Sequence, residues 1–126
     1  MKNFHFYIGW LILLFAACVS GAESPAGGNY LFRFGAVADC QHCNATSKVR
    51  KYSQSPAKLT DCVEHYNKLD LAFVVHLGDF IDRDFSSFDK VVPIYNQLKA
   101  PHYHVLGNHD FSVVDDKKAL VPAKLG

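Results

Sequence analysis

Three apolar runs in this chain each end in a short patch of acids, amides or histidine. The runs cover 31–38, 71–77 and 102–106, and the patches are Asp39-Cys40-Gln41, Gly78-Asp79 and Gly107-Asn108-His109-Asp110. Short apolar runs bounded by polar residues are typical of buried strands. Because ligands bind outside the carboxyl ends of strands in an open parallel sheet, the pattern predicts one shared metal site made of hard oxygen ligands.

The segments between these strands predict helices. Ser55 is expected to cap the first helix, with Pro56 in its first position, where the missing N–H costs nothing. A second helix is predicted over 87–98 and a short helical segment from Asp115. The first helix is expected to bury a stripe made of Leu59, Val63, Tyr66 and Leu69. The resulting β-α-β-α-β order predicts an α/β fold, because right-handed crossovers place the strands in one parallel sheet.

The strand sequences predict how the sheet is covered. The first run alternates, with Phe32 and Phe34 on one face and Val37 on the other. The second run, 71–77, is almost continuously apolar, which predicts a strand covered on both faces. Two histidines inside strands are expected in the core, namely His76 and His104. Three other histidines are expected at the surface: His42, His65 and His102. His42 is also an alternative metal ligand if its loop bends.

The size and charge of the chain narrow its class. It has 126 residues, of which 49% are hydrophobic, and a net charge of +1, which suits one small domain. No basic run gives it a nucleic-acid surface, so no nucleic-acid partner is expected. The densest basic cluster, Lys48, Arg50 and Lys51, is interpreted as a solvated loop.

The N-terminus has the pattern of an export signal. Lys2 precedes an apolar run over 4–19, and small residues ending at Ala22 provide a cleavage site. A lipoprotein signal ending before Cys18, which would carry a lipid anchor, is the second alternative, and an uncleaved anchor is the third. Each predicts an exported protein that is periplasmic, extracellular or lipid-anchored. The predicted divisions are a signal peptide, a linker and a folded domain over 1–22, 23–29 and 30–126.

Three cysteines remain after the predicted cleavage. An odd number argues against a complete disulfide framework, and no second pair accompanies Cys40-x-x-Cys43 to form a four-ligand zinc site. The favoured interpretation is a small buried thiol at Cys62 and an optional local disulfide between Cys40 and Cys43.

The first two patches have the chemistry of cation ligands. Side chains two apart in an extended segment point the same way, so Asp39 and Gln41 are expected to reach one ion. Asp79 follows Gly78 and has two carboxylate oxygens, enough to bridge two ions. Oxygen donors of this kind favour manganese or magnesium over zinc. Two such ions roughly 3.5–4 Å apart are a known solution for phosphoryl hydrolysis.

The third patch adds a ligand and a proton donor. Asn108 offers an amide oxygen beside Gly107, whose freedom permits a close backbone turn. His109 faces elsewhere, which suits a general acid more than a ligand. Asp110 is expected to hydrogen-bond the His109 ring and fix its tautomer. The alternative for Asp39, Asp79 and Asn108 is the capping of loops and helix ends.

These patches resemble a known family. Gly-Asp-Phe-Ile-Asp-Arg at 78–83 and Gly-Asn-His-Asp at 107–110 resemble the second and third motifs of the calcineurin-like metallophosphoesterases, and the resemblance covers about 30–120. Most members carry Asp-x-His in the first motif, whereas this chain has Asp39-x-Gln41. That change resembles the manganese-dependent ADP-ribose/CDP-alcohol diphosphatase branch.

The resemblance implies a dinuclear hydrolase of phosphate esters or anhydrides. Its cofactors would be two divalent ions, manganese favoured and magnesium or iron as alternatives. Its substrates would be small molecules, nucleotide diphosphate derivatives first and phosphomonoesters second. Asp39 and Gln41 would bind the first ion, Asp79 would bridge, and Asn108 would bind the second. His109 would protonate the leaving oxygen, and Arg83 would contact a phosphate or simply pair with Asp82.

The family completes its site with later histidines, including a Gly-His-x-His motif. No histidine follows His109 in this sequence. We therefore expect residues 30–126 to be a partial metallophosphoesterase domain, a truncated chain that is inactive alone. A non-catalytic fragment or binding module is the alternative.

Overall fold

The computed structural model describes residues 30–126. The predicted signal peptide, Cys18 and the linker lie outside the described residues. The strands are β1 (Phe34–Val37), β2 (Phe73–His76) and β3 (His102–His104). The helices are α1 (Ser55–Tyr66), α2 (Phe88–Tyr95), α3 (Asp115–Lys118) and α4 (Val121–Leu125). Short 3-10 turns, Tyr52–Gln54 and Phe85–Ser87, lead into α1 and α2.

The three strands form one parallel sheet in the order β1-β2-β3. Phe34 of β1 lies opposite Phe73, and Val74 of β2 lies opposite His102. The predicted α/β fold with parallel strands is therefore confirmed. Each strand is shorter than the apolar run that predicted it.

The helix boundaries differ slightly from the sequence prediction. Ser55 is the first residue of α1 and Gln54 occupies the cap position, without a side-chain hydrogen bond. Leu59 and Val63 are buried as expected, but Leu69 lies beyond the helix end and is 38% exposed. The buried stripe therefore ends with the partly buried Tyr66, since the chain turns away from the core after it.

The core lies between one face of the sheet and helices α1 and α2. The ring of Tyr66 covers Gly35, and Tyr95 packs against His76. His76 is fully buried with its ring centroid 4.4 Å from that of Phe80. Burial lowers the pKa of His76 to about 4, and burial together with the nearby His102 lowers that of His104 to about 4. His76 is a core histidine, as predicted, whereas His104 is only partly buried and packs against Tyr95 at the edge of the core.

The opposite face of the sheet carries an aromatic row. Phe34 stacks on Phe73 with ring centroids 5.2 Å apart, and Tyr103 meets Phe73 edge to face. Phe34 is 54% exposed and Tyr103 is 59% exposed. The prediction that β2 is covered on both faces is wrong for residues 30–126, because α1 and α2 both pack on the face that holds Gly35 and Val74.

The cysteines of the described part are all thiols. Cys40, Cys43 and Cys62 are free, so the optional Cys40–Cys43 disulfide is not formed. Cys43 is the buried thiol, whereas Cys62 is only partly buried. Burial raises the pKa of Cys40 to about 12, which keeps its thiol protonated at neutral pH. Over residues 30–126, no helix has the length and apolarity needed to span a bilayer.

Candidate functional site

The loop after β1 runs beside the loop after β2 and brings the first two patches together. Backbone hydrogen bonds join Asp39 N to Gly78 O at 3.2 Å and Gln41 N to Asp79 O at 2.9 Å. The pairing continues to His42, which forms an isolated parallel bridge with Ile81. The backbone therefore fixes the two patches side by side before any side chain is considered.

His42 is not at the surface, as the sequence suggested. It is only 3% exposed, and its Nδ1 lies 3.0 Å from the carbonyl oxygen of Tyr52. The reason is the continued pairing with the second loop, which turns this side chain inward. The ring packs against the turn before α1 and is held there by the Tyr52 carbonyl.

One side-chain amide links the predicted ligands of the first two patches. Gln41 Nε2 lies 3.2 Å from Asp39 Oδ1 and 3.4 Å from Asp79 Oδ2. Three of the four predicted metal ligands therefore converge on one point at the carboxyl edge of the sheet. Two carboxylates and an amide are hard donors of the kind that manganese and magnesium accept.

The third patch closes on the same point from β3. The backbone N–H of His109 donates to Asp79 Oδ1 at 2.9 Å. Gly107 approaches Asp79 so closely that a Cβ added there would lie 2.1 Å from Asp79 Oδ1. Asn108 lies between these two contact points and is exposed. The predicted fourth ligand is therefore next to the bridging carboxylate, on a turn that only a glycine at 107 permits.

Asp110 does not contact the ring of His109, which corrects the sequence prediction. Its carboxylate is fully buried and accepts four backbone hydrogen bonds of 2.8–3.1 Å. The donors are the N–H groups of Asp79, Phe80, Ile81 and Gly107. Asp110 therefore pins the second patch to the third and holds the Asp79 turn in place, because a carboxylate is the one side chain that can accept so many bonds.

Asp82 holds the His109 ring instead. His109 Nδ1 lies 2.9 Å from Asp82 Oδ1, and Asp82 is 2% exposed. Burial opposes ionisation of Asp82, but hydrogen bonds from Tyr52, His109 and Arg83 outweigh it and lower its pKa to about 2. The ionised carboxylate can only accept a hydrogen bond, so Nδ1 of the His109 ring carries a proton and donates a hydrogen bond to Asp82. Nε2 is then the ring nitrogen that is left to exchange a proton with a ligand.

Two arginines meet at this carboxylate. Arg83, the predicted phosphate contact, lies 3.4 Å from Asp82 Oδ2 and 3.2 Å from the Tyr52 hydroxyl. Its pairing with Asp82 is the alternative that the sequence left open, and the structure shows that contact. Arg50 donates from one nitrogen to Asp82 Oδ2 at 2.9 Å and to Gln41 Oε1 at 2.7 Å. Arg50 lies in an exposed loop, as interpreted, with 41% of its side chain exposed, and the side chain also contacts these two site residues.

The donors present fit a hard cation in part. Within residues 30–126, no group of three or more His, Cys, Asp or Glu side chains is arranged to hold a metal ion. The converging oxygens come from two carboxylates, and the remaining predicted donors, Gln41 and Asn108, are amides. The converging residues therefore offer oxygen ligands to a metal site, and no imidazole nitrogen of residues 30–126 converges with them.

A basic cavity opens beside Asp39 and Gln41. It has a volume of about 350 Å³ and lies against the end of β1 and the start of α1. Three cationic side chains line it, Arg50, Lys51 and Lys58. Positive charge beside the carboxylates suits an anionic ligand, because it offsets the repulsion between the carboxylates and that ligand.

Comparison with known proteins finds one matching family and several similar chains. A family model described as calcineurin-like phosphoesterase matches residues 32–122. The manganese-dependent ADP-ribose/CDP-alcohol diphosphatase of Mus musculus is 32% identical over 106 residues, which cover 71% of this chain and 31% of that protein. Its counterpart in Arabidopsis thaliana is 30% identical over 103 residues, with coverages of 71% and 32%.

A solved structure is also similar. The crystal structure of a dimetal phosphatase from Danio rerio superposes with a TM-score of 0.55 and 32% sequence identity, over 64% of this chain and 30% of that chain. The chain therefore spans about a third of the length of these relatives.

Proposed function

This chain belongs to the calcineurin-like phosphoesterase family, and from that premise we propose that it carries the oxygen-ligand half of a dinuclear hydrolase acting on nucleotide diphosphate derivatives. The observation that carries the proposal is the convergence of Asp39, Gln41 and Asp79 beside a His109 ring held by Asp82. The names of the relatives, ADP-ribose/CDP-alcohol diphosphatases, support the substrate class.

In this proposal each patch has a separate task. Asp39 and Gln41 would hold one divalent ion, Asp79 would lie between two ions, and Asn108 would hold the second. Manganese is the favoured metal, since hard oxygen donors suit it and the relatives are named for their dependence on it. When bound, two such ions activate water and neutralise charge on the phosphate oxygens.

His109 is the proposed general acid. Its Nδ1 is engaged by the Asp82 carboxylate, which sets the ring orientation and leaves Nε2 to pass a proton to the leaving oxygen. Asp82 thus takes the orienting role that the sequence had suggested for Asp110. Arg83 and the cationic lining of the cavity beside Asp39 would bind the substrate phosphates.

We propose further that residues 30–126 do not complete the site. The support is the donor set itself, which contains two converging carboxylates and no converging imidazole. On this proposal the 126-residue chain binds manganese weakly and does not hydrolyse ADP-ribose by itself. Robust manganese-dependent turnover by that chain, abolished by Asp79→Asn, would contradict it.

The substrate class is tested on a full-length version that also carries the later histidine motif, and not on the 126-residue chain alone. ADP-ribose, a CDP-alcohol and a phosphomonoester are compared in the presence of manganese, with Asp79→Asn as the site-defective variant. We expect the two diphosphates to be hydrolysed and the Asp79 variant to lose at least about a hundredfold in rate. A preference for the phosphomonoester would refute the substrate class, and no hydrolysis of any substrate would favour a non-catalytic module.

A further inference from the structure

Arg50 connects the two halves of the candidate site. A single nitrogen of its guanidinium donates to Gln41 Oε1 at 2.7 Å and to Asp82 Oδ2 at 2.9 Å. Gln41 belongs to the predicted metal ligands and Asp82 holds the His109 ring. Arg50 therefore contacts both the metal side and the proton-donor side of the site.

The contacts around Gln41 determine which way its amide faces. A guanidinium only donates hydrogen bonds and a carboxylate only accepts them. The oxygen of the amide must therefore face Arg50, and its nitrogen must face Asp39 and Asp79, as observed. The opposite orientation would set two donors against each other at Arg50 and two acceptors against each other at Asp39.

This orientation is unsuited to metal binding. A divalent cation between Asp39 and Asp79 needs an oxygen from Gln41, whereas the structure directs the Nε2 hydrogens of Gln41 at both carboxylates. To bind the cation, the amide must turn so that its oxygen replaces its nitrogen. That turn breaks the 2.7 Å bond to Arg50 and brings an N–H₂ group against the guanidinium.

We infer that Arg50 is a positioning residue that holds Gln41 in its non-ligating orientation and so competes with the first cation for the Gln41 oxygen. The inference rests on the metal site of the proposed function. The effect that it assigns to Arg50 on cation affinity acts through Gln41, and not through direct repulsion between the guanidinium and the ion. Asp82 keeps Arg50 in place when Gln41 is released.

The test is a calorimetric titration of manganese into the chain and four variants. Arg50→Met keeps the aliphatic stem and removes every donor. Gln41→Ala removes the amide, the double variant combines the two changes, and Lys48→Gln removes a charge from the same exposed loop. We expect Arg50→Met to bind manganese about tenfold more tightly than the parent, which corresponds to about 1.4 kcal/mol.

Two comparisons distinguish an effect of Arg50 through Gln41 from simple charge repulsion. Lys48→Gln should change the affinity less than twofold, and Arg50→Met should have no effect in the Gln41→Ala background. The inference is overturned if Arg50→Met matches Lys48→Gln, or if its gain persists without Gln41, because simple charge repulsion would then explain the result. If no variant and no parent chain binds manganese, the proposed metal site fails and the inference fails with it.

A second measurement does not depend on the variants being folded. The side-chain amide resonances of Gln41, assigned by through-bond connection to its own backbone resonances, are followed in the parent chain as magnesium, a diamagnetic ion, is added. We expect them to shift together with the backbone amides of Asp39 and Asp79. Movement of the backbone signals alone would show that the ion binds without turning the amide, which contradicts the inference.

Discussion

The substitution Asp110→Asn separates a structural from a catalytic role for this carboxylate. Each oxygen of Asp110 accepts two backbone hydrogen bonds: Oδ1 from Phe80 and Ile81, and Oδ2 from Asp79 and Gly107. Asparagine keeps one accepting oxygen and replaces the other with an N–H₂ group. Whichever way the amide faces, two bonds are lost and a donor is set against two donors.

The size of the loss follows from these contacts. Hydrogen bonds to a charged acceptor contribute about 1.5–3 kcal/mol each, so losing two costs about 3–6 kcal/mol of unfolding free energy. That is a large part of the total for a small domain, about 5–15 kcal/mol. With a urea dependence of about 1–3 kcal/mol per molar, the unfolding midpoint should fall by about 2 M.

Urea unfolding followed by circular dichroism measures this change, with Asp116→Asn as the matched control. The Asp116 side chain is 71% exposed, and removing its charge should alter stability by less than about 0.5 kcal/mol. If Asp110→Asn also falls within about 0.5 kcal/mol of the parent chain, the four hydrogen bonds do not hold the turn and the structural role is refuted.

Three further outcomes are expected. The unfolding free energy should fall as the pH is lowered from about 6.5 to about 4. The reason is that buried His76 and partly buried His104 have pKa values lowered to about 4, so the unfolded chain binds protons that the folded chain does not. A pH-independent urea midpoint over that window would contradict this. Gly107→Ala should weaken manganese binding at least about tenfold, since the new Cβ would lie 2.1 Å from Asp79 Oδ1, and unchanged calorimetric affinity would contradict it. We also propose export, so mass spectrometry of the mature protein should find its N-terminus at Glu23, whereas an intact leader on a cytosolic product would contradict it.

The sheet and the meeting of its patches could be predicted because they depend on periodicity and handedness. Three apolar runs joined by helical segments give a parallel sheet with few alternatives, and parallel strands end at the same edge. That reasoning suffices to bring Asp39, Gln41 and Asp79 together. It does not depend on the detailed path of any loop.

The partners of the site residues could not be predicted, because they depend on loop paths. Asp82 and His109 are 27 positions apart and meet only because both loops are pinned by Asp110. Asp110 follows His109 directly, so adjacency favoured it as the ring partner, yet its carboxylate turns towards the backbone of the second patch. Arg50 has no pattern around it that distinguishes it from a solvated cation.

Backbone strain argues for a functional site and against simple loop capping. Within residues 30–126, four non-glycine residues have positive φ, and all four are residues selected for metal or phosphate binding: Asp39, Gln41, Asp79 and Arg83, at φ of 55°, 42°, 58° and 55°. Each such conformation costs about 1 kcal/mol or more, and it persists only where surrounding contacts impose it. Glycine would relieve the strain at any of these positions, and a loop that served stability alone would gain by having it. The retention of carboxylate, amide and guanidinium groups there indicates that their side-chain chemistry outweighs the strain.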